Sequence, residues 1–96
     1  MRLKILKRWW ILEWVKGFKL KGECDAPTTN GKKIRIKSEI KGELLLDTLI
    51  HEQLHAAAWD MSEEWVNDTA TDIARNLWRL GYRRVSDDKS SKIQGR

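Results

Sequence analysis

The chain has 96 residues, 41% of them hydrophobic and 34% charged, with a formal charge of +5 and a pI near 9.6. Those figures bound one small folded domain with a modest core, and they exclude a chain too polar to fold. No stretch approaches the roughly 20 apolar residues of a membrane span, and Glu13 and Lys16 interrupt the basic start before it can form the apolar core of a secretory leader.

Residues 1–14 fit two patterns: Leu3, Leu6 and Trp10 suit a helix stripe, whereas Trp10, Leu12 and Trp14 suit one face of a strand. The expectation is a strand over 9–15, with Arg2, Lys4, Lys7 and Arg8 as solvated charge beside an edge. Gly17 breaks the run, and the alternation of residues 18–21 predicts a second strand. Residues 22–31 read as a loop in which Asn30-Gly31 is a tight-hairpin pair. Residues 32–37 alternate cleanly, which places Ile34 and Ile36 inward and Lys33, Arg35 and Lys37 outward. This strand is expected at an edge, protected by its cations and able to pair with an extended peptide.

A helix is predicted over 44–58, followed by a short connector. Ser62 is a good N-cap for a last helix that opens on Glu63 and Glu64 and stops at Gly81. Residues 82–85 are expected to pack back on the core, and the polar residues 86–96 to form a disordered tail. The fold class expected is α+β, a small twisted antiparallel or mixed sheet packed on two helices, with residues 1–85 as the single domain. The six tryptophans are expected to supply much of the buried area. The one cysteine, Cys24, excludes an internal disulfide and favours a reduced, cytoplasmic setting. Beside a turn it reads as a small packed side chain.

The sharpest signal is His51-Glu52-Gln53-Leu54-His55, which holds the only two histidines of the chain. On a helix, histidines four apart share a face, so both rings can reach one metal ion. Glu52, about 100° round the helix, is placed to touch a water on that metal without binding the metal itself. A catalytic zinc site takes three protein ligands and keeps one position for water. With no third histidine, the third ligand is an acid or Cys24. Glu63 leads, because it continues the apolar stripe of Val66, Ala70, Ile73, Ala74 and Leu77 toward the first helix. Glu64 points about 100° away, toward solvent. Asp60 reads as a helix cap or as a partner for the outer nitrogen of a histidine. Tyr82 is the only tyrosine, but it lies about 28 Å along the helix from Glu63 and is too far to stabilise an oxyanion.

Residues 46–58 followed by 63–70 resemble the minimal gluzincin-type zinc metallopeptidases, with the ImmA/IrrE-like and SprT-like peptidases and small phage or prophage proteins as the nearest comparisons. The resemblance covers residues 32–81. The ImmA/IrrE pattern is H-E-x-x-H followed by a helix reading E-x-x-A-x-x-F-A. Its metal histidines fall on His51 and His55, its water-activating glutamate on Glu52 and its ligand glutamate on Glu63. Val66 stands at its Ala position, Thr69 at its Phe position, and Ala70 matches. SprT-like proteins use a third histidine, which this chain lacks. The resemblance implies a strand–helix peptidase fold, one Zn²⁺ and a protein or peptide substrate. The rival expectation is a small regulatory or binding protein with a structural zinc, or a degenerate peptidase fold. The net charge would allow it weak contact with nucleic acid, although the cations are scattered and no reader module is evident.

Overall fold

The structure is a computed structural model that describes residues 1–85. The expected disordered tail, 86–96, lies outside the described residues. Strands β1 (Arg2–Ile5), β2 (Arg8–Val15), β3 (Gly22–Cys24) and β4 (Lys33–Lys37) form one mixed sheet in the order β1-β2-β4-β3. Helices α1 (Gly42–Ala57) and α2 (Glu63–Arg79) complete an α+β fold.

The N-terminal ambiguity resolves as two strands. β1 and β2 pair antiparallel, with Leu3 opposite Trp10 and Ile5 opposite Arg8. Leu6 and Lys7 make the turn between them, both at positive φ (48° and 65°). Such turns favour Asn and Gly, so Leu-Lys gave no hairpin signal, and β1 was not legible as a separate strand. The strand expected over 18–21 forms instead at Gly22–Cys24. Lys21 already contributes its carbonyl to the Lys37 N–H (2.8 Å), so the ladder starts where the chain meets β4, not where polarity begins to alternate. Gly31 takes a positive φ of 64°, but it closes a longer loop between β3 and β4 and not a two-residue hairpin.

β4 runs parallel to β2 and antiparallel to β3, so it lies inside the sheet. The expected free edge belongs to β3. Ile34 and Ile36 are fully buried, as their alternation requires. On the opposite face Arg35 bonds Asp25 (2.8 Å) and Glu23 (3.2 Å), which holds β3 against β4. That contact also holds the Asp25 carboxyl below its usual range.

Side chains of the inner sheet face and one flank of α1 form the main core: Trp10, Leu12, Ile34, Ile36, Leu45 and Ala56. α2 packs on the far side of α1 and not on the sheet, giving the layer order sheet, α1, α2. Small buried residues, Val66, Ala70 and Ala74, let the two helices approach closely. Ser62 caps α2 by accepting the Trp65 N–H (3.0 Å), and Gly81 (φ 95°) turns the chain after it. Of the tryptophans only Trp10 is fully buried, whereas Trp9, Trp14, Trp59 and Trp65 are exposed, so aliphatic residues carry more of the core than expected. At the C-terminal end Tyr82 and Val85 stay exposed, and it is Arg83 and Arg84 that fold back, over the rings of Trp78 and Trp14. Among the described residues no helix is long and apolar enough to cross a membrane.

Candidate metal centre

α1 is surrounded on nearly all sides, with only Gly42 and Leu44 exposed along its length. Its histidines lie one turn apart, and the short connector through Ser62 turns α2 back so that its first residue faces them. Their convergence is tight: His51 Nε2 stands 3.1 Å from His55 Nε2, and the Glu63 carboxylate oxygens lie 3.0 Å from each histidine nitrogen. One ligand atom from each of the three residues falls within 4.8 Å of the others. Donors 2.0–2.2 Å from a shared tetrahedral ion sit about 3.3–3.6 Å apart, near the separation of the two histidine nitrogens, so the three residues could hold a metal ion.

The structure brings Glu63 to the histidines and leaves Glu64 outside the cluster. The reason differs from the one expected. The Glu63 side chain is 72% exposed, so it is not an acid forced into the interior. The turn geometry at the start of α2 aims it at α1. Cys24 is also outside the cluster. It packs against the main core, its thiol donates to the Asp25 carbonyl (3.3 Å), and burial first, then Glu52 and Asp25, pushes its pKa up to about 12. Such a thiol stays protonated and is a poor ligand. Asp60 is exposed between Ala58, the C-cap of α1, and Ser62, and takes neither of its expected places. Tyr82 lies at the far end of α2, as its distance along the helix requires.

Glu52 is buried, with 6% exposure. Burial, reinforced by the negative charges of Glu63 and Glu23, pushes its carboxyl up to about 7. A carboxyl in that range can both take and return a proton near neutral pH. It lines a pocket of about 240 Å³ together with His51, Thr48, Gly22, Lys21 and Asn67.

Thr48, Gly22, Lys21 and Asn67 were all missed as site residues in the sequence. A Cβ on Gly22 would lie 2.9 Å from the Glu52 Cγ and Oε2 and from the Thr48 methyl, so the bare backbone of β3 is what leaves room for Glu52. No local signal marks this contact. Asn67 had one, because it lies four residues after Glu63 and therefore on the same face of α2. Thr48 donates to the Leu44 carbonyl within α1 (2.8 Å), which turns its methyl toward Gly22.

No family model, curated protein or solved structure matches this chain.

Proposed function

We propose that the protein is a zinc-dependent peptidase whose metal is held by His51, His55 and Glu63 and whose general base is Glu52. The observation that carries the reading is the convergence of three ligand atoms beside a buried carboxyl that does not join them. Zinc bound there would supply Lewis acidity, lowering the pKa of a water and polarising the carbonyl of the scissile bond. Glu52 takes a proton from that water and returns it to the departing amine. Asn67, one turn from Glu63, and Lys21 reach the same pocket and are the available donors for the developing oxyanion.

An extended peptide has a place to lie. The bonds Lys37 N–H to Lys21 O and Asp25 N–H to Lys33 O turn the odd-numbered backbone groups of this segment toward β4. By alternation, the N–H and C=O of Gly22 and Cys24 face the open edge of β3, beside the pocket. A substrate strand added at that edge would pass along the Glu52 side of α1. A protein or peptide substrate is therefore favoured over a small molecule.

The test uses zinc-loaded protein and fluorescently labelled, unfolded casein as a general substrate. Glu52→Gln should keep zinc affinity near wild type and lower hydrolysis about a hundredfold or more. His55→Ala should lose both metal and activity. Equal cleavage by wild type and Glu52→Gln would reject Glu52 as the base. A zinc-loaded wild type that cleaves nothing would favour the rival reading, a structural zinc in a binding protein.

A further inference from the structure

Past His55 the first helix ends, and a second hollow opens beside the metal centre. Its volume is about 590 Å³; Ala57, Ala58, Trp59 and Met61 line it from the end of α1, and Ala26 and Pro27 from the chain after β3. Each side is a closed turn. The Ala58 carbonyl accepts the Met61 N–H (3.0 Å), and the Ala26 carbonyl accepts the Thr29 N–H (2.9 Å). Trp59 and Met61 keep 44% and 41% exposure, and neither belongs to the main core. The hollow adjoins the histidines directly. The Trp59 ring stands edge-on to the His55 ring, with centroids 6.4 Å apart and planes at 66°.

β3 connects this hollow to the pocket that holds Glu52. It begins at Gly22, against Glu52 and Thr48, and after Cys24 the chain reaches Ala26 and Pro27. A peptide strand on its open edge therefore has the Glu52 pocket at one end and the Trp59 hollow at the other. With a hollow on each side of the histidines, the groove suits an internal stretch of chain and not a terminus. The step from His55 to Trp59, 6.4 Å, matches about two residues of extended chain at about 3.3 Å each. Antiparallel pairing is the more stable arrangement, and β3 runs from the Glu52 end toward the Trp59 end, so the added strand runs the opposite way. Its residues at Trp59 then precede the bond at the metal centre.

The lining decides what fits. An indole, a thioether, a proline ring and alanine methyls offer broad apolar contact, which rewards a large apolar side chain that leaves water. Arg8 and Asp60 also line the hollow, one of each sign, and give no net preference for charge. We infer that this hollow takes an aromatic or long aliphatic side chain of a bound peptide, two residues to the amino side of the bond presented to the metal centre. That position along the substrate rests on the peptidase reading; the pocket for the side chain does not.

The experiment has two arms. In the first, zinc-loaded full chain digests unfolded casein, and mass spectrometry maps the bonds cut. Phe, Tyr, Leu or Met should stand second before the cut bond at least about tenfold more often than Gly, Asp or Lys. In the second, calorimetry measures binding to the zinc-loaded Glu52→Gln form of a peptide of about eight residues, Ser and Lys around one central Phe. It should bind at least about tenfold more tightly than the same peptide with Gly at the centre, with amide shifts on residues 26–28 and 57–61. Trp59→Ala should remove both preferences, and Trp59→Phe should keep them within about threefold. Met61→Ser should reduce them about threefold with zinc affinity unchanged, which separates loss of the pocket from loss of the metal. Cuts made without regard to that residue, or with a preference only on the carboxyl side, would overturn the inference and leave the peptidase reading standing. Equal binding of the Phe and Gly peptides would overturn it as well. Phe-dependent binding without any cleavage would support the pocket and reject the peptidase reading.

Discussion

On one side of α1, His51 meets His55 and Glu63, and with Glu52 and Asn67 it lines a pocket of about 240 Å³. On the other, Leu45, Leu46 and Leu49 face a cleft of about 790 Å³ walled by Trp78 and two arginines. The same helix therefore presents two unlike surfaces. The histidine side is small and polar. The cleft side is broad and apolar, with cations only at its rim. The difference shows how one helix, enclosed on nearly every side, carries both a polar face and an apolar one. The polar groups that would be costly in a core are gathered at one opening, where a metal and water can satisfy them.

Removing the metal should separate the two sides most strongly. A site held at a thousand times its dissociation constant stabilises the fold by about 4 kcal/mol, and each kcal/mol moves the midpoint of a domain this size by about 4–8 °C. Thermal unfolding with and without a strong chelator should differ by about 15 °C or more, and identical midpoints after confirmed zinc loss would show that the metal does not tie α1 to α2. Lys41→Glu, on the cleft side, should leave zinc affinity within about twofold, because it lies far from the ligands.

A smaller effect is expected at Gly22→Ala. The added Cβ meets Glu52 and Thr48 at 2.9 Å, so the cost should be about 1–3 kcal/mol in urea unfolding. Combining it with Glu52→Ala and Thr48→Ser should recover most of that loss. A full, unrelieved cost in the combined variant would mean that Gly22 matters for β3 itself and not for seating Glu52.

The smallest effect concerns Asp25, which secures β3 on the metal side. Its carboxyl is held below the usual 3.8 chiefly by the hydrogen bond from Arg35, with a further contribution from the Lys33 N–H. A carboxyl depressed by folding stabilises the protein above its unfolded pKa, and that stability is lost as pH falls through the lower folded value. Asp25→Asn should therefore cost about 1 kcal/mol at neutral pH and close to nothing in strong acid. A difference independent of pH would assign the loss to packing.

The histidine pair, its glutamate and the cap at Ser62 were legible because each is a local pattern. A four-residue spacing puts two rings on one helix face, and a hydroxyl before two acids opens a helix, whatever surrounds them. β4 was legible for the same reason, since Ile34 and Ile36 alternate with cations. Its place in the sheet was not. Nothing in residues 32–37 says that β3 will cover one side and β2 the other. The apolar stripe of α2 favours Glu63 over Glu64. The side chain does face the histidines, but it stays open to solvent, so the turn before α2 aims it and not the burial that the stripe suggested.

The sequence by itself determined the α+β class, both helices and the start of α2, and the candidate ligands His51, His55 and Glu63, because these follow from periodicities of two and 3.6 residues and from capping chemistry, whereas α1 starts at Gly42, two residues before the expected Leu44. Only the tertiary structure decided the β1–β2 hairpin, the interior place of β4, the fit of Gly22 against Glu52, and the apolar cleft. Each of those rests on contacts between segments far apart in the chain. A strand edge, a missing Cβ or a cleft wall has no local pattern to betray it, since its energy lies in the backbone bonds and surfaces that meet only after the chain has folded.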